Sequence, residues 1–278
     1  MKKVLSLLLC ALLLCACLPA AMAEEKKLTD ASRNFVYVLR DDGSAELLEY
    51  KGPAGRVIIP NALDGHPLTA VRRNPFYFLD VNTYRQKTCT VAVAQDHPYL
   101  ATINGVLFGK TDRKLISYPI TLDAPEYQIP DGIEIIGDYA FYDVSCLSFV
   151  SIPDSVTSIG EGAFYKCSGL TSVSIPDGVT SIEGNAFQLC YGLTSVVIPD
   201  GVTSIEEGTF KECSSLASVV IPASVTEIVS YAFSGCSPDL VIIVTAGSYA
   251  EQYCMKYSLA YQADGVDYSD APTDWLNH

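Results

Sequence analysis

The sequence predicts a mainly β solenoid of 23-residue coils, with short helical or 3₁₀ turns and a C-terminal capping helix. Three observations predict it. The dipeptide Ile-Pro recurs at Ile129, Ile152, Ile175, Ile198 and Ile221. Phenylalanine keeps the same spacing at Phe141, Phe164, Phe187, Phe210 and Phe233. Cysteine joins it at Cys167, Cys190, Cys213 and Cys236. A fixed period of roughly 20–50 residues marks a stacked architecture, because one such unit cannot bury its own apolar face. Stacked units present long surfaces to partners.

Residues 1–23 read as a signal peptide. Lys2 and Lys3 form the basic start, Val4 to Leu18 is almost unbroken apolar sequence, and Ala21-Met22-Ala23 supplies the small-residue cleavage pattern. Cleavage after Ala23 makes the product a secreted or cell-surface protein. The apolar run is short for a bilayer span, and no later stretch reaches about 18 apolar residues. The same segment supports a second reading. Leu14-Cys15-Ala16-Cys17 resembles a bacterial lipobox, in which Cys17 carries lipid and becomes the first residue. Membrane contact follows only in that case, since each buried acyl methylene contributes about 0.8 kcal/mol.

Residues 125–240 hold five regular coils, at 125–146, 147–169, 170–192, 193–215 and 216–240. The third is the type unit. Leu170, Val173 and Ile175 point one way along an extended stretch, and Ser172 and Ser174 point the other. Pro176-Asp177-Gly178 is a turn signal. Val179 and Ile182 return to the interior, and Ala186, Phe187 and Cys190 fill its opposite side. The expected dry interior therefore comprises Ile152, Phe164, Cys167, Ile175, Phe187, Cys190, Ile198, Phe210, Cys213, Ile221, Phe233 and Cys236. About eight apolar side chains per coil each contribute roughly 1.5–3 kcal/mol on burial. Ordering the backbone costs roughly 1–2 kcal/mol per residue, so a lone coil is unfolded and its neighbours supply the balance.

The pattern Leu-x-x-Val-x-Ile-Pro-x-x-Val-x-x-Ile-x-x-x-Ala-Phe-x-x-Cys-x-x-Leu resembles the BspA-type leucine-rich repeats of bacterial surface proteins. Val144 stands where the row has cysteine, Thr209 where it has alanine, and Val229 disturbs the Ile-Gly step. The resemblance implies a leucine-rich-repeat solenoid with an adhesion or host-interaction role, and a protein or glycan ligand. It also implies that residues 24–124 are degenerate repeats. Val57-Ile58-Ile59-Pro60 repeats the strand-ending signature, and Gly65 to Leu68 with Val71 and Phe76 reads as an atypical coil. Gly105 to Phe108 and Leu115 to Tyr118 flank Lys110-Thr111-Asp112-Arg113 as a β-hairpin projecting from the stack. Residues 241–262 form the cap: a strand at Val241 to Val244, then a helix with Ser248 as N-cap and Tyr249, Ala250, Tyr253, Cys254 and Tyr257 on its apolar face. Residues 263–278 read as an acidic tail.

The chain has a formal net charge of −14, unevenly spread. Residues 24–128 balance 13 acidic against 13 basic side chains, whereas 129–240 carry 14 acidic residues against Lys166 and Lys211. That argues against nucleic acid or anionic lipid as a partner of the repeats. The row cysteines read as small buried apolar residues, with cross-rung disulfides or metal ligation as alternatives. Cys89, Cys146 and Cys254 lie off the row.

Little points to chemistry. His66, His97 and His278 are the three histidines, in no metal-ligand spacing, and neither a phosphate loop nor a nucleophile elbow occurs. No cofactor is implied. Cys89 with His97 is a remote hydrolase pairing; His97-Pro98 reads more simply as a turn. Asp131, Asp154, Asp177 and Asp200 form a row after the prolines, read as turn residues bonding nearby amides or as a weak calcium ladder. Thr157, Thr180, Thr203 and Thr226 form a second row beside Ser158, Ser181 and Ser204. These solvate a sheet face or offer a flat docking surface. The outward strand positions are the binding-face candidates: Phe149, Ser151, Ser172, Ser174, Ser195, Val197, Ser218 and Val220, adjoining Glu126 and Gln128. The chain thus reads as an exported, non-enzymatic binding protein; a self-associating or partner-binding scaffold is the alternative.

Overall fold

The computed structural model describes residues 25–77 and 89–264. The leader at 1–23, lipidation of Cys17 and the acidic segment from 265 onward lie outside the described residues. The architecture is mainly β, with two adjoining cores. The N-terminal core lies under a mixed sheet in the order Leu28–Thr29, Phe35–Leu39, Ala45–Tyr50, His66–Val71, Ala62–Leu63. Phe35, Tyr50 and Phe76 pack ring to ring inside it, at centroid distances of 5.3 and 5.6 Å. Gly55–Ile59 pairs in parallel with Cys89–Val93, Val57 opposite Val91 and Ile59 opposite Val93. This is a parallel strand-on-strand pairing like that of the regular coils.

The hairpin predicted to project from the stack does not do so. Val106–Gly109 and Lys114–Ser117 pair antiparallel, but Leu100–Ile103 flanks one side and Ile135–Ile136 the other. Val106, Leu107, Phe108, Leu115 and Ile116 are all buried. Apolar side chains on both faces favour packing between the two cores over solvent.

The repeats stack in register. Phe149 lies opposite Ser172, Ser195 opposite Ser218, and Ser218 opposite Val241, so each coil adds one parallel strand. The resulting wall has seven strands: Glu126–Gln128, Phe149–Ser151, Ser172–Ser174, Ser195–Val197, Ser218–Ile221, Val241–Thr245 and Tyr261–Asp264. A second wall of two-residue strands carries Ile136, Ile159 and Ile182 inward.

The third wall is built of single turns where a short helical or 3₁₀ turn was expected around Ala186 and Phe187, and the turns follow one another without forming a helix. Ala186, Gln188 and Cys190 donate their amides to the carbonyls three residues back, at 3.3, 3.0 and 3.2 Å. The intervening amides of Asn185, Phe187 and Leu189 donate instead to Glu207, Thr209 and Lys211 in the next coil, each at 2.9 Å. The cause is local. Asn185 (φ 57°) and Leu189 (φ 63°) are left-handed, which breaks any run of helical dihedrals and turns alternate N–H groups along the stack. All six amides from Asn185 to Cys190 are thereby satisfied, half of them by a neighbouring coil.

Inside the walls the phenylalanines form one column. Phe164 stacks on Phe141 at 4.9 Å, Phe187 on Phe164 at 5.2 Å, Phe210 on Phe187 at 5.7 Å and Phe233 on Phe210 at 5.7 Å. Tyr118 extends it at the N-terminal end, 5.1 Å from Phe141. Each row cysteine donates its thiol to a phenylalanine carbonyl of the preceding coil: Cys167 to Phe141 at 2.9 Å, and Cys190, Cys213 and Cys236 to Phe164, Phe187 and Phe210 at 3.1 Å. Of the predicted interior residues, Ile175 and Cys236 are only partly buried. Cys236 lies in the last full coil, beyond which a helix replaces the stacked turn.

That helix, Tyr249–Tyr257, starts at Ser248, whose hydroxyl accepts from the Glu251 amide at 3.2 Å. Its buried face is narrower than the sequence suggests. Ala250 and Cys254 are buried, while Tyr249 and Tyr257 are exposed. The segment read as the start of an acidic tail begins instead with a strand: Ala263 and Asp264 close Tyr261–Asp264, paired with Val244 and Thr245.

Candidate binding face

The seven-stranded wall has one face on the core and one open. Val150, Val173, Val196, Val219 and Ile242 turn inward, as period-two alternation requires. Outward residues align in two columns. One runs through Glu126, Phe149, Ser172, Ser195, Ser218 and Val241. In the other, Val197 lies opposite Val220, Val220 opposite Ile243, and Ile243 opposite Gln262. The predicted candidates Ser172, Ser174, Ser195 and Val197 are exposed, Val197 at 59% and Phe149 at 36%; Ser151, Ser218 and Val220 are half-buried. Val241 and Ile243 extend the aliphatic patch. They were read only as part of a cap strand, and register with Ser218–Ile221 is what brings them to this side. Among the described residues these strands carry Glu126 and Asp264 outward and no lysine or arginine.

The hydroxyl and carboxylate rows offer less to a ligand than their regularity suggests. The hydroxyls of Thr157, Thr180 and Thr226 donate to the carbonyls of Glu134, Thr157 and Thr203 at 3.3, 3.3 and 3.4 Å, so they are spent on holding coils together. Ser181 and Ser204 donate to Glu183 and Glu206, each at 2.6 Å. Asp131, Asp154, Asp177 and Asp200 are exposed. The turns they occupy close through the main chain instead: the amides of Val156, Val179 and Val202 donate to the carbonyls of Pro153, Pro176 and Pro199, each at 3.0 Å. Among the described residues no group of three or more His, Cys, Asp or Glu side chains is placed to hold a metal ion.

Cys89 and His97 are both buried. His97 Nδ1 accepts the amides of Tyr99 and Leu100 at 3.2 and 3.1 Å, and its carbonyl accepts from Lys110 Nζ at 2.7 Å. Burial lowers the His97 pKa and the Lys110 charge adds to that, with the Pro60 carbonyl opposing. The ring is a neutral turn clamp, as the His97-Pro98 step suggested.

No disulfide joins the seven described cysteines. Burial pushes the thiols of Cys167, Cys190 and Cys213 far above the usual range, and that of Cys236 up to about 11. The thiolate is the reactive form, so the fully buried Cys167, Cys190 and Cys213 are inert in the folded chain. Thiol titration with an aromatic disulfide at pH 8 should label the half-exposed Cys146 and Cys236 first. Cys167, Cys190, Cys213 and Cys254 should react only in denaturant. Rapid labelling of Cys190 in the native protein would refute this arrangement.

Residues 121–258 match the BspA type leucine rich repeat region, in 6 copies. No curated protein matches the chain. Among solved structures it is similar to the pneumococcal vaccine antigen PcpA, with TM-score 0.60 and 20% identity over 77% of this chain and 56% of that one. A leucine rich cell surface protein from Faecalibacterium prausnitzii A2-165 gives TM-score 0.54 and 20% identity over 84% and 98%. A leucine-rich repeat protein from Eubacterium ventriosum ATCC 27560 gives 0.52 and 19% over 77% and 62%. The chain therefore spans little more than half the length of the pneumococcal antigen, and the likeness to all three is one of fold. Among the described residues no helix is long and apolar enough to cross a membrane. The period, the stacked rows and these matches together make the chain a member of the BspA-type leucine-rich repeat family, through residues 121–258.

Proposed function

We propose that this is an exported, non-catalytic binding protein that docks a partner protein on the open face of its seven-stranded wall, in an adhesion or host-interaction role. One observation carries the reading. The face presents small serines beside an aliphatic and aromatic set, with Phe149, Val197 and Val241 exposed and Val220 and Ile243 half-buried, and with acidic residues only at its ends. Such a surface suits a partner with apolar side chains framed by neutral or basic groups. Export rests on the leader at 1–23; the mass of the mature N-terminus decides between release after Ala23 and a lipid anchor at Cys17. A self-associating scaffold is the second reading, favoured by the position of Tyr261–Asp264 as the last strand of the sheet, the place where a strand of a second copy would extend it.

Surface plasmon resonance against a panel of matrix proteins and mucins tests the first reading. Val197→Lys and Phe149→Lys should each weaken the binding partner about tenfold or more, the loss expected when a charge enters an apolar contact. Both sites are solvent-facing, so melting temperatures should hold. Absence of saturable binding across the panel, or indifference to both substitutions, would count against the face. Mass rising with concentration in light scattering would favour self-association. Unchanged behaviour of Cys89→Ala in hydrolase assays is expected throughout.

A further inference from the structure

A second site lies away from the sheet, where the last repeat meets the cap. A groove of about 370 Å³ is lined by Tyr231, Tyr253 and Tyr257, with Ser230 and Ser234 at the rim and Phe233 beneath. That volume is within the usual range of small-ligand sites, roughly 300–1,000 Å³. The rings of Tyr253 and Tyr257 stand 4.6 Å apart at 46°. Lys256 Nζ occupies one side of Tyr257, 5.0 Å from the ring centre, and no lining side chain carries a charge.

Tyr231 is the informative residue. It is left-handed, with φ 63°, and 65% exposed. The same register position holds Gly162, Asn185 and Gly208 in the preceding coils, the residue types that adopt this conformation at least cost. Tyr139, at the first such position, is buried and stacked on Tyr77 at 3.8 Å, which offsets its strain. Tyr231 keeps the strained backbone with most of its ring in water. An exposed aromatic ring on a left-handed backbone marks Tyr231 as a candidate contact residue.

We propose that this groove binds a neutral carbohydrate. A pyranose has an apolar C–H face and a rim of hydroxyls. Tyrosine rings offer π-faces to the first, and phenol and serine hydroxyls offer donors and acceptors to the second. A purely apolar ligand would leave those hydroxyls unpaired. An anionic ligand would meet a chain of net charge −14, and a cationic one would find no carboxylate in the lining.

Titration calorimetry of the full-length mature protein with maltotetraose, cellotetraose and chitotetraose tests this, with sialyllactose as the charged comparator. At least one neutral oligosaccharide should bind with Kd between about 0.1 and 10 mM. Tyr231→Gly should weaken it about tenfold or more while melting at or above the parent temperature, because glycine relieves the left-handed strain. Tyr257→Ala should weaken it similarly, and Val197→Lys should leave it unchanged, so failure here is distinguishable from failure of the sheet face. Three outcomes overturn the proposal: no neutral sugar bound at about 10 mM, preferential binding of sialyllactose, or a Tyr231→Gly protein that binds as the parent does or melts well below it.

Discussion

Phe187→Ala should lower the unfolding free energy by roughly 3–5 kcal/mol, the range for deleting a fully buried aromatic ring. Phe187 has no exposed surface and is sandwiched between Phe164 and Phe210, with interplanar angles of 3° and 5°. Its removal opens a void at two interfaces. Stability of a solenoid is close to a sum of unit and nearest-neighbour terms, so the loss falls on the middle of the array and splits it. Urea denaturation followed by circular dichroism should show a lower midpoint and a shallower slope, as the two halves cease to unfold together. Phe233→Ala is the control. Phe233 has a ring neighbour on one side and lies next to the cap, so its loss should be visibly smaller. A cost below about 1 kcal/mol for Phe187→Ala would mean that the column contributes little beyond filling space.

Ending the chain at Ala246 should be more damaging still. That truncation removes the helix Tyr249–Tyr257 and the strand Tyr261–Asp264, and with them Ala250, Cys254 and Ala263, which cover the end of the core. Val241–Thr245 becomes an uncovered edge strand with Ile242 and Val244 turned to solvent on the side they now bury. Exposed, flat, apolar edges template aggregation. Repeat proteins that lose a terminal unit become insoluble for this reason. The truncated chain should elute in the void volume on gel filtration and bind a hydrophobic dye. Cys254→Asp, which buries one carboxylate under the same cap, should give a milder form: a lowered melting temperature with the protein still soluble. A truncated chain that stays monodisperse and melts like the parent would show that the cap is dispensable.

The interior was legible because one period governs it. Ile152, Phe164 and Cys190 announce their stacking by recurrence alone, and the capping serine at Ser248 by its place before an apolar helical run. The turn wall was not legible for a physical reason. Its left-handed positions include Tyr139, Lys166, Leu189 and Glu212, residues whose side chains give no sign of positive φ. Their own amides donate to carbonyls of the adjoining coil, which hold them there, and that is a property of the stack rather than of any local sequence. The candidate face divides in the same way. Phe149 and Val197 stand out as apolar residues in an alternating strand, whereas Val241-Ile242-Ile243-Val244 is an unbroken apolar run with no sidedness of its own. Only pairing with Ser218–Ile221 sends Val241 and Ile243 outward. Residues 25–77 lack the period, and their mixed sheet and separate core could not be drawn from it.

The alternation of amides on the turn wall has a mechanical consequence. Bonds such as Phe187 N–H to the Thr209 carbonyl run along the axis of the stack, as do those of the parallel strands. Tension between the two ends of the array therefore loads them in line and opens them a few at a time, instead of shearing many at once. Each coil that peels away releases 23 residues, up to roughly 80 Å of extended chain. An array built this way lengthens stepwise under tension, one coil at a time.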